Sequence, residues 1–155
     1  MMLRANWVKL LLSGLILSWM DRISKKKRSE NMAAIKGKGN RSTELAFIKI
    51  LKKHKITGWN RHYKKLPGTP DFIFRSKRLA IFLDGCFWHG CRKCFIAPKT
   101  NSEFWDNKIK DNIQRDRKNR KLIHEMDWQV IKFFEHTLKN ERHVVNRLNK
   151  YLNNR

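Results

Sequence analysis

The run Leu79–Leu83, LAIFL, leads through Asp84 and Gly85 straight into Cys86-x4-Cys91-x2-Cys94. This sequence of events constrains the fold more than any other stretch. An unbroken apolar run of this length fits a central strand buried on both faces. The cysteines are therefore delivered where that strand ends. Three thiols within nine positions, separated by Gly, His, Arg and Lys, make poor core material, although a free cysteine alone packs as a small hydrophobe. Their spacing suits zinc, which takes four tetrahedral N or S ligands. Cys86, Cys91 and Cys94 supply three. The fourth is open on spacing alone: His89 lies within the motif, and His136 lies at the end of a later strand.

Composition narrows the partner. The 155 residues suit one compact domain, and 36 Lys and Arg against 13 Asp and Glu give a net charge of +23. A polyanion is implied, nucleic acid ahead of an acidic membrane surface. Six tryptophans argue against a mere neutraliser of phosphate, because large aromatics need a packed core or stacked bases. An odd, clustered set of cysteines does not suit a secreted disulfide framework and points to a reducing, cytoplasmic compartment. The apolar run Leu10–Trp19 is too short to span a bilayer. Residues 1–19 are expected to lie outside the functional domain, with a short membrane-associating helix as the alternative. Residues 20–41 read as a basic arm with a short helix around Arg28–Ile35. Arg28, Lys36 and Lys38 are its candidate phosphate contacts. Residues 42–155 form the domain proper.

Within it, Ser42 or Thr43 is placed to cap a helix whose apolar residues Leu45, Ile48 and Leu51 recur at helical spacing. Glu44 sits in its first turn, where the helix dipole alone would favour an acid. LPGTPD then forces an extended entry into Asp71, and DFIFRSKRLAIFLDG reads as two strands with a turn near Ser76–Lys77. Asp71 opens the first strand and Asp84 closes the second. Two acids at the ends of neighbouring strands can converge on one point and hold a hard cation such as Mg²⁺, though Asp is common in turns regardless. A long helix follows, capped by Asn101 or Ser102, with Trp105, Ile109 and Ile113 in a stripe that Asp116 continues. WQVIKFFEHT reads as a strand and LKNERHVVNRLNKYL as a last helix. The order predicts an α/β domain with a central mixed sheet flanked by helices.

RSENM, LPGTPDF, AIFLDGCFWHGC, TNSEFWDNKI, NIQRDR and FFEH occur in this order at fitting intervals across residues 20–136. Together they resemble the very short patch repair (Vsr) DNA mismatch endonuclease family. The resemblance implies a restriction-endonuclease-like fold with a structural zinc. It also implies Mg²⁺-dependent nicking of double-stranded DNA beside T:G mismatches left by deaminated 5-methylcytosine. By the same resemblance Asp71 is the main Mg²⁺ ligand, His89 the catalytic histidine, and Glu44 and Asp116 catalytic carboxylates near the reacting waters. Zinc falls to Cys86, Cys91, Cys94 and His136. Phe87, Trp88 and Trp105 are the aromatics that wedge into the base stack. The chain departs from the family's best-known form in having Cys91 and His136 where that form has His and Cys. Leu83 stands where a Thr main chain helps hold the metal. A backbone carbonyl survives that change, and Asp84 is a further candidate ligand. A monomer in a bacterial-type, nucleoid-associated setting is implied, with mismatch-repair accessory proteins as further partners. The competing expectations are a nuclease of the same fold with another target, and a non-catalytic zinc protein that binds DNA. Asp71 and His89 speak against the latter, since binding alone needs neither.

Overall fold

The computed structural model describes residues 41–153. The readings for residues 1–19 and for Arg28, Lys36 and Lys38 of the arm fall outside the described residues. A single π-helical turn, Arg41–Leu45, runs into helix α1, Ala46–Lys53. Strands β1 (Trp59–Arg61), β2 (Phe72–Phe74) and β3 (Leu79–Asp84) follow. Helix α2 spans Ser102–Glu125, strand β4 Gln129–Phe134 and helix α3 Glu141–Leu152. The sheet order is β1-β2-β3-β4, antiparallel except for the parallel β3–β4 pair. The mixed sheet with flanking helices is the α/β architecture expected from the sequence.

The alternation of the strands assigns the layers. Phe72 and Phe74, Leu79, Ile81 and Leu83, and Ile131 and Phe133 share one face, packed on Phe47 and Leu51 of α1 and Val144 and Leu148 of α3. The opposite residues Ile73 and Ala80 pack with Leu66 and Ile123 of α2, joined by Phe82, Trp128 and Val130. Both faces are thus covered, as the unbroken apolar run of β3 requires.

Three expectations change. No side-chain cap hydrogen bond starts either α1 or α2, and Asn101 instead takes a left-handed conformation ahead of α2. The α1 face that enters the core is Phe47, Ile50 and Leu51, while Leu45 is exposed. Phe47 decides this rotation, because its ring fills the space between Phe72 and Phe133 at 5.0 and 5.7 Å. Strand β1 was absent from the sequence reading; WNR is short and polar, and it is held by pairing to β2 rather than by its own burial.

The cysteine-bearing loop after β3 is seated on α2 through Gly90. Its φ is +57°, and a Cβ there would lie 2.9 Å from Ile113 Cδ1 and 3.3 Å from Ile109 Cγ2. Gly90→Ala should therefore cost about 1–3 kcal/mol, from the backbone conformation and the displaced isoleucines together. Urea unfolding would read this, and an unchanged midpoint would refute the tight seat.

Candidate active site and cysteine cluster

Antiparallel pairing puts the start of β2 beside the end of β3, so Asp71 and Asp84 reach the same edge of the sheet. Asp71 is fixed there by the Leu83 N–H, which donates to its Oδ2 at 2.7 Å. In a strand, N–H and C=O of one residue point the same way, so the Leu83 carbonyl also faces this acid. Extending the β2–β3 register by two places sets Leu83 opposite Pro70, whose nitrogen has no hydrogen to give.

Two acidic groups meet at this edge. Glu44, His62 and Asp71 offer ligand atoms within 4.8 Å of one another, and so do Asp84, His89 and Asp116. Glu44 is buried at 3% exposure and takes the Arg61 guanidinium as a close ion pair, with His62 Nε2 at 3.2 Å. His89 Nδ1 lies 2.5 Å from Asp116 Oδ2 and 3.5 Å from Asp84 Oδ2. Asp84 is buried, and the Lys132 ammonium is its close ion partner. The acids and His89 line a cleft of about 430 Å³ together with His62, Arg115, Arg120 and Lys132; Glu44 sits just behind it.

The carboxylates act on one another. Burial pushes the Asp71 carboxyl up to about 6; the Leu83 N–H works against this, and the charges of Glu44 and Asp84 add to it. Asp116 behaves oppositely. Burial disfavours its charge, but the hydrogen bond and charge of His89, helped by Lys132 and Arg115, hold it below the ordinary carboxylate value.

The cysteines form a separate centre. Cys86, Cys91, Cys94 and His136 offer atoms within 4.8 Å of one another, and His89 is not among them. His136 Nδ1 stands 3.3 Å from Cys86 Sγ and 3.5 Å from Cys91 Sγ. Burial pushes the Cys86 thiol up to about 11, with Cys94 and Cys91 adding to the rise against a backbone N–H from His136. Cys91 is lowered despite its burial, because the backbone N–H groups of Lys93 and Cys94 and its neighbouring thiols favour the thiolate.

The aromatics form a cluster of their own. Phe87 packs against Trp88 and Trp105 with ring centroids 5.3 Å apart in each pair, and Trp88 lies 6.0 Å from Trp105. All three are half-buried, and Phe104 beside them is 60% exposed. Asn112 Nδ2 donates to the Trp88 carbonyl at 3.0 Å and pins the loop to α2.

The sequence names Asp71, His89, Glu44, Asp116 and Asp84 on one side and Cys86, Cys91, Cys94 and His136 on the other, and the structure brings each set together. Sequence reasoning missed Arg61, His62, Lys132 and Asn112. Lys132 left one signal: it interrupts the face of β4 that otherwise carries Val130 and Phe134.

A model of the family described as DNA mismatch endonuclease Vsr matches residues 20–95. The type II nicking enzyme V.XorIIP of Xanthomonas oryzae is 38% identical over 113 residues, 71% of this chain and 80% of that protein. The DNA mismatch endonuclease Vsr of Escherichia coli is 35% identical over 118 residues, 72% of this chain and 71% of that one. The type II nicking enzyme V.NaeI of Lentzea aerocolonigenes is 30% identical over 112 residues, covering 70% and 68%. These matches define the class as a nuclease, a hydrolase that acts on DNA, and the cleft of acids and a histidine at the sheet edge is its candidate site. The chain belongs to the Vsr DNA mismatch endonuclease family. Among the described residues no helix is long and apolar enough to cross a membrane.

Asp71 makes a stability test with a definite sign. Its folded value near 6 exceeds the ordinary 3.8. Below the lower value both states are protonated and the residue is neutral in its effect. Between the two, the unfolded chain ionises first and stability falls as pH rises. Above about pH 6 the full cost stands. In metal-free protein Asp71→Asn should therefore stabilise at pH 7, by an amount on the order of 1–3 kcal/mol. That gain should fade toward pH 4, which urea titrations of both proteins at each pH would measure.

Proposed function

We propose that this endonuclease nicks DNA at T:G mismatches left by deaminated 5-methylcytosine, with Mg²⁺ in the acidic cleft and a structural zinc on the cysteines. The reading rests chiefly on one adjacency. Phe87 and Trp88 directly precede His89, so one loop sets both the groups that would enter the base stack and the group that would serve the phosphate. Wedging aromatics cost a few kcal/mol of unstacking per step, and a mispair lowers that cost.

The residues suit the two metals. Mg²⁺ prefers carboxylate and carbonyl oxygen, and Asp71 with the Leu83 carbonyl offers this pair, since Pro70 gives that carbonyl no ladder donor. On a tetrahedral zinc, N and S ligands stand about 3.6 Å apart; the His136–cysteine separations of 3.3 and 3.5 Å agree. When bound, Mg²⁺ would take up a phosphate oxygen and stabilise charge on the leaving oxygen.

The chain's own residues do the rest. Asp116 accepts a hydrogen bond from His89 Nδ1–H, which fixes the ring and leaves Nε2 as the basic nitrogen for the attacking water. Glu44, neutralised by Arg61, stands behind Asp71 and keeps His62 in place. Arg115 and Arg120 line the cleft and attract the phosphate. Arg28, Lys36 and Lys38 add contacts to the DNA backbone from the arm.

Single-turnover nicking of duplexes carrying T:G, T:A or C:G at one position tests the target. Cleavage confined to T:G is expected; equal cleavage of T:A would assign a different target within the family, such as that of a site-specific nicking enzyme. On the T:G duplex, Asp71→Asn and His89→Ala should each lose about 10²–10⁴-fold in rate and keep duplex affinity. Wild-type rates in both would refute the mechanism.

Metal analysis should give one zinc per chain. Cys91→Ala should lose it together with thermal stability. Retention of full zinc by His136→Ala, with loss in His89→Ala, would reassign the fourth ligand.

A further inference from the structure

On the α2 side of the sheet the ends of the two parallel strands change character. Ala80 and Phe82 on β3, with Val130 on β4, give an apolar row, and Asp84 and Lys132 then interrupt it. Cross-strand pairing sets Lys132 beside Phe82, one step short of Asp84 and its partner Phe134. The Lys132 side chain is only 22% exposed, yet the residue lines the cleft that holds Asp71, His89 and Asp116. Two contacts hold it. The Asp84 carboxylate pairs with it closely, and the Phe134 ring centroid lies 4.6 Å from Nζ. The lysine backbone is tied as well, since Arg147 Nη1 donates to its carbonyl at 2.9 Å.

A half-buried lysine is costly to hold in one place, because its stem loses rotamer freedom and its charge loses water. Lys132 also lines a second hollow, shared with Arg92, Lys93, Arg120 and His143, in which no lining residue is acidic. Its ammonium therefore stands where an acidic cleft meets a cationic track, as a phosphate running from one into the other would require.

We infer that Lys132 is a further catalytic residue of this endonuclease, its ammonium binding a non-bridging oxygen of the scissile phosphate while Asp84 holds it in position. The inference rests on the cleft being the site of cleavage. A fixed cation of this kind is worth more as charge gathers on the phosphate than in the ground state, so its loss falls on rate rather than on affinity.

The test uses the full chain with Mg²⁺ and a duplex that the wild type nicks, reading single-turnover rate at saturating DNA, duplex Kd and thermal melting. Lys132→Met should slow nicking about 10²–10³-fold, with Kd within about threefold. Lys132→Arg should regain part of the rate. The double variant Asp84→Asn/Lys132→Met, which leaves no unpaired acid, should stay as slow as Lys132→Met. A wild-type rate in Lys132→Met, or its return in the double variant, would reduce Lys132 to a counter-ion and overturn the inference. If Lys132→Met does not fold, the double variant decides by the same criterion. Asp71→Asn runs alongside: should it nick at the wild-type rate, the cleft itself is misassigned, a failure distinct from that of Lys132.

Discussion

Four carboxylates crowd one edge of a small sheet, and much of the surrounding structure answers that repulsion. Each acid has its own remedy. Glu44 takes Arg61 and His62, Asp84 takes Lys132, and Asp116 takes His89. Asp71 receives backbone N–H groups, from Leu83 and from its own residue, and burial pushes its carboxyl up. The least compensated acid in such a group is where an external cation gains most. The fold thus leaves its electrostatic deficit at the acid proposed to hold the metal.

The loop after β3 carries a different constraint. It has almost no regular structure, yet it must hold Phe87, Trp88 and His89 in a fixed relation to α2. Three independent ties act on it: the Asn112 side chain on the Trp88 carbonyl, Gly90 against Ile109 and Ile113, and the meeting of three thiols with His136. His136 stacks on Phe134 at 6.0 Å, and the Lys132 ammonium also lies over the Phe134 ring. The cysteine centre and the acidic cleft are therefore joined through the last residues of β4, so rigidity at one is felt at the other.

What could be read from the sequence followed periodicity and density of signal. The LAIFL run fixed β3, the PGTPD break placed Asp71 at the head of β2, and the i, i+3, i+4 pattern brought Asp116 to the face of α2 that meets His89. What escaped was tertiary. Strand β1 has three residues and owes its shape to β2. Arg61 and His62 matter only because β1 carries them over Glu44. The rotation of α1 depended on a ring, Phe47, whose place is set by two others far along the chain. Lys132 looked like an ordinary strand lysine, because nothing local says that an acid from the neighbouring strand will meet it.

The chain as a whole is strongly basic, whereas its cleft sets three acids against three bases, and distance reconciles the two. Beyond roughly a Debye length, about 8 Å in physiological salt, a phosphate feels chiefly the excess of bases that gives the chain its +23. Within the cleft it would meet Asp71, Asp84 and Asp116. Arg115, Arg120 and Lys132 line the same cleft, so approach along the cationic side is favoured up to the last few ångströms. There the balance depends on what occupies the space beside Asp71. Without a cation the acids oppose a second negative group. With one, the same acids fix the cation's place and the phosphate completes its surroundings. On the proposed reading, a cleft built in this way would bind duplex through its basic surroundings with or without metal, and would reserve the closest approach of the scissile phosphate for the loaded state.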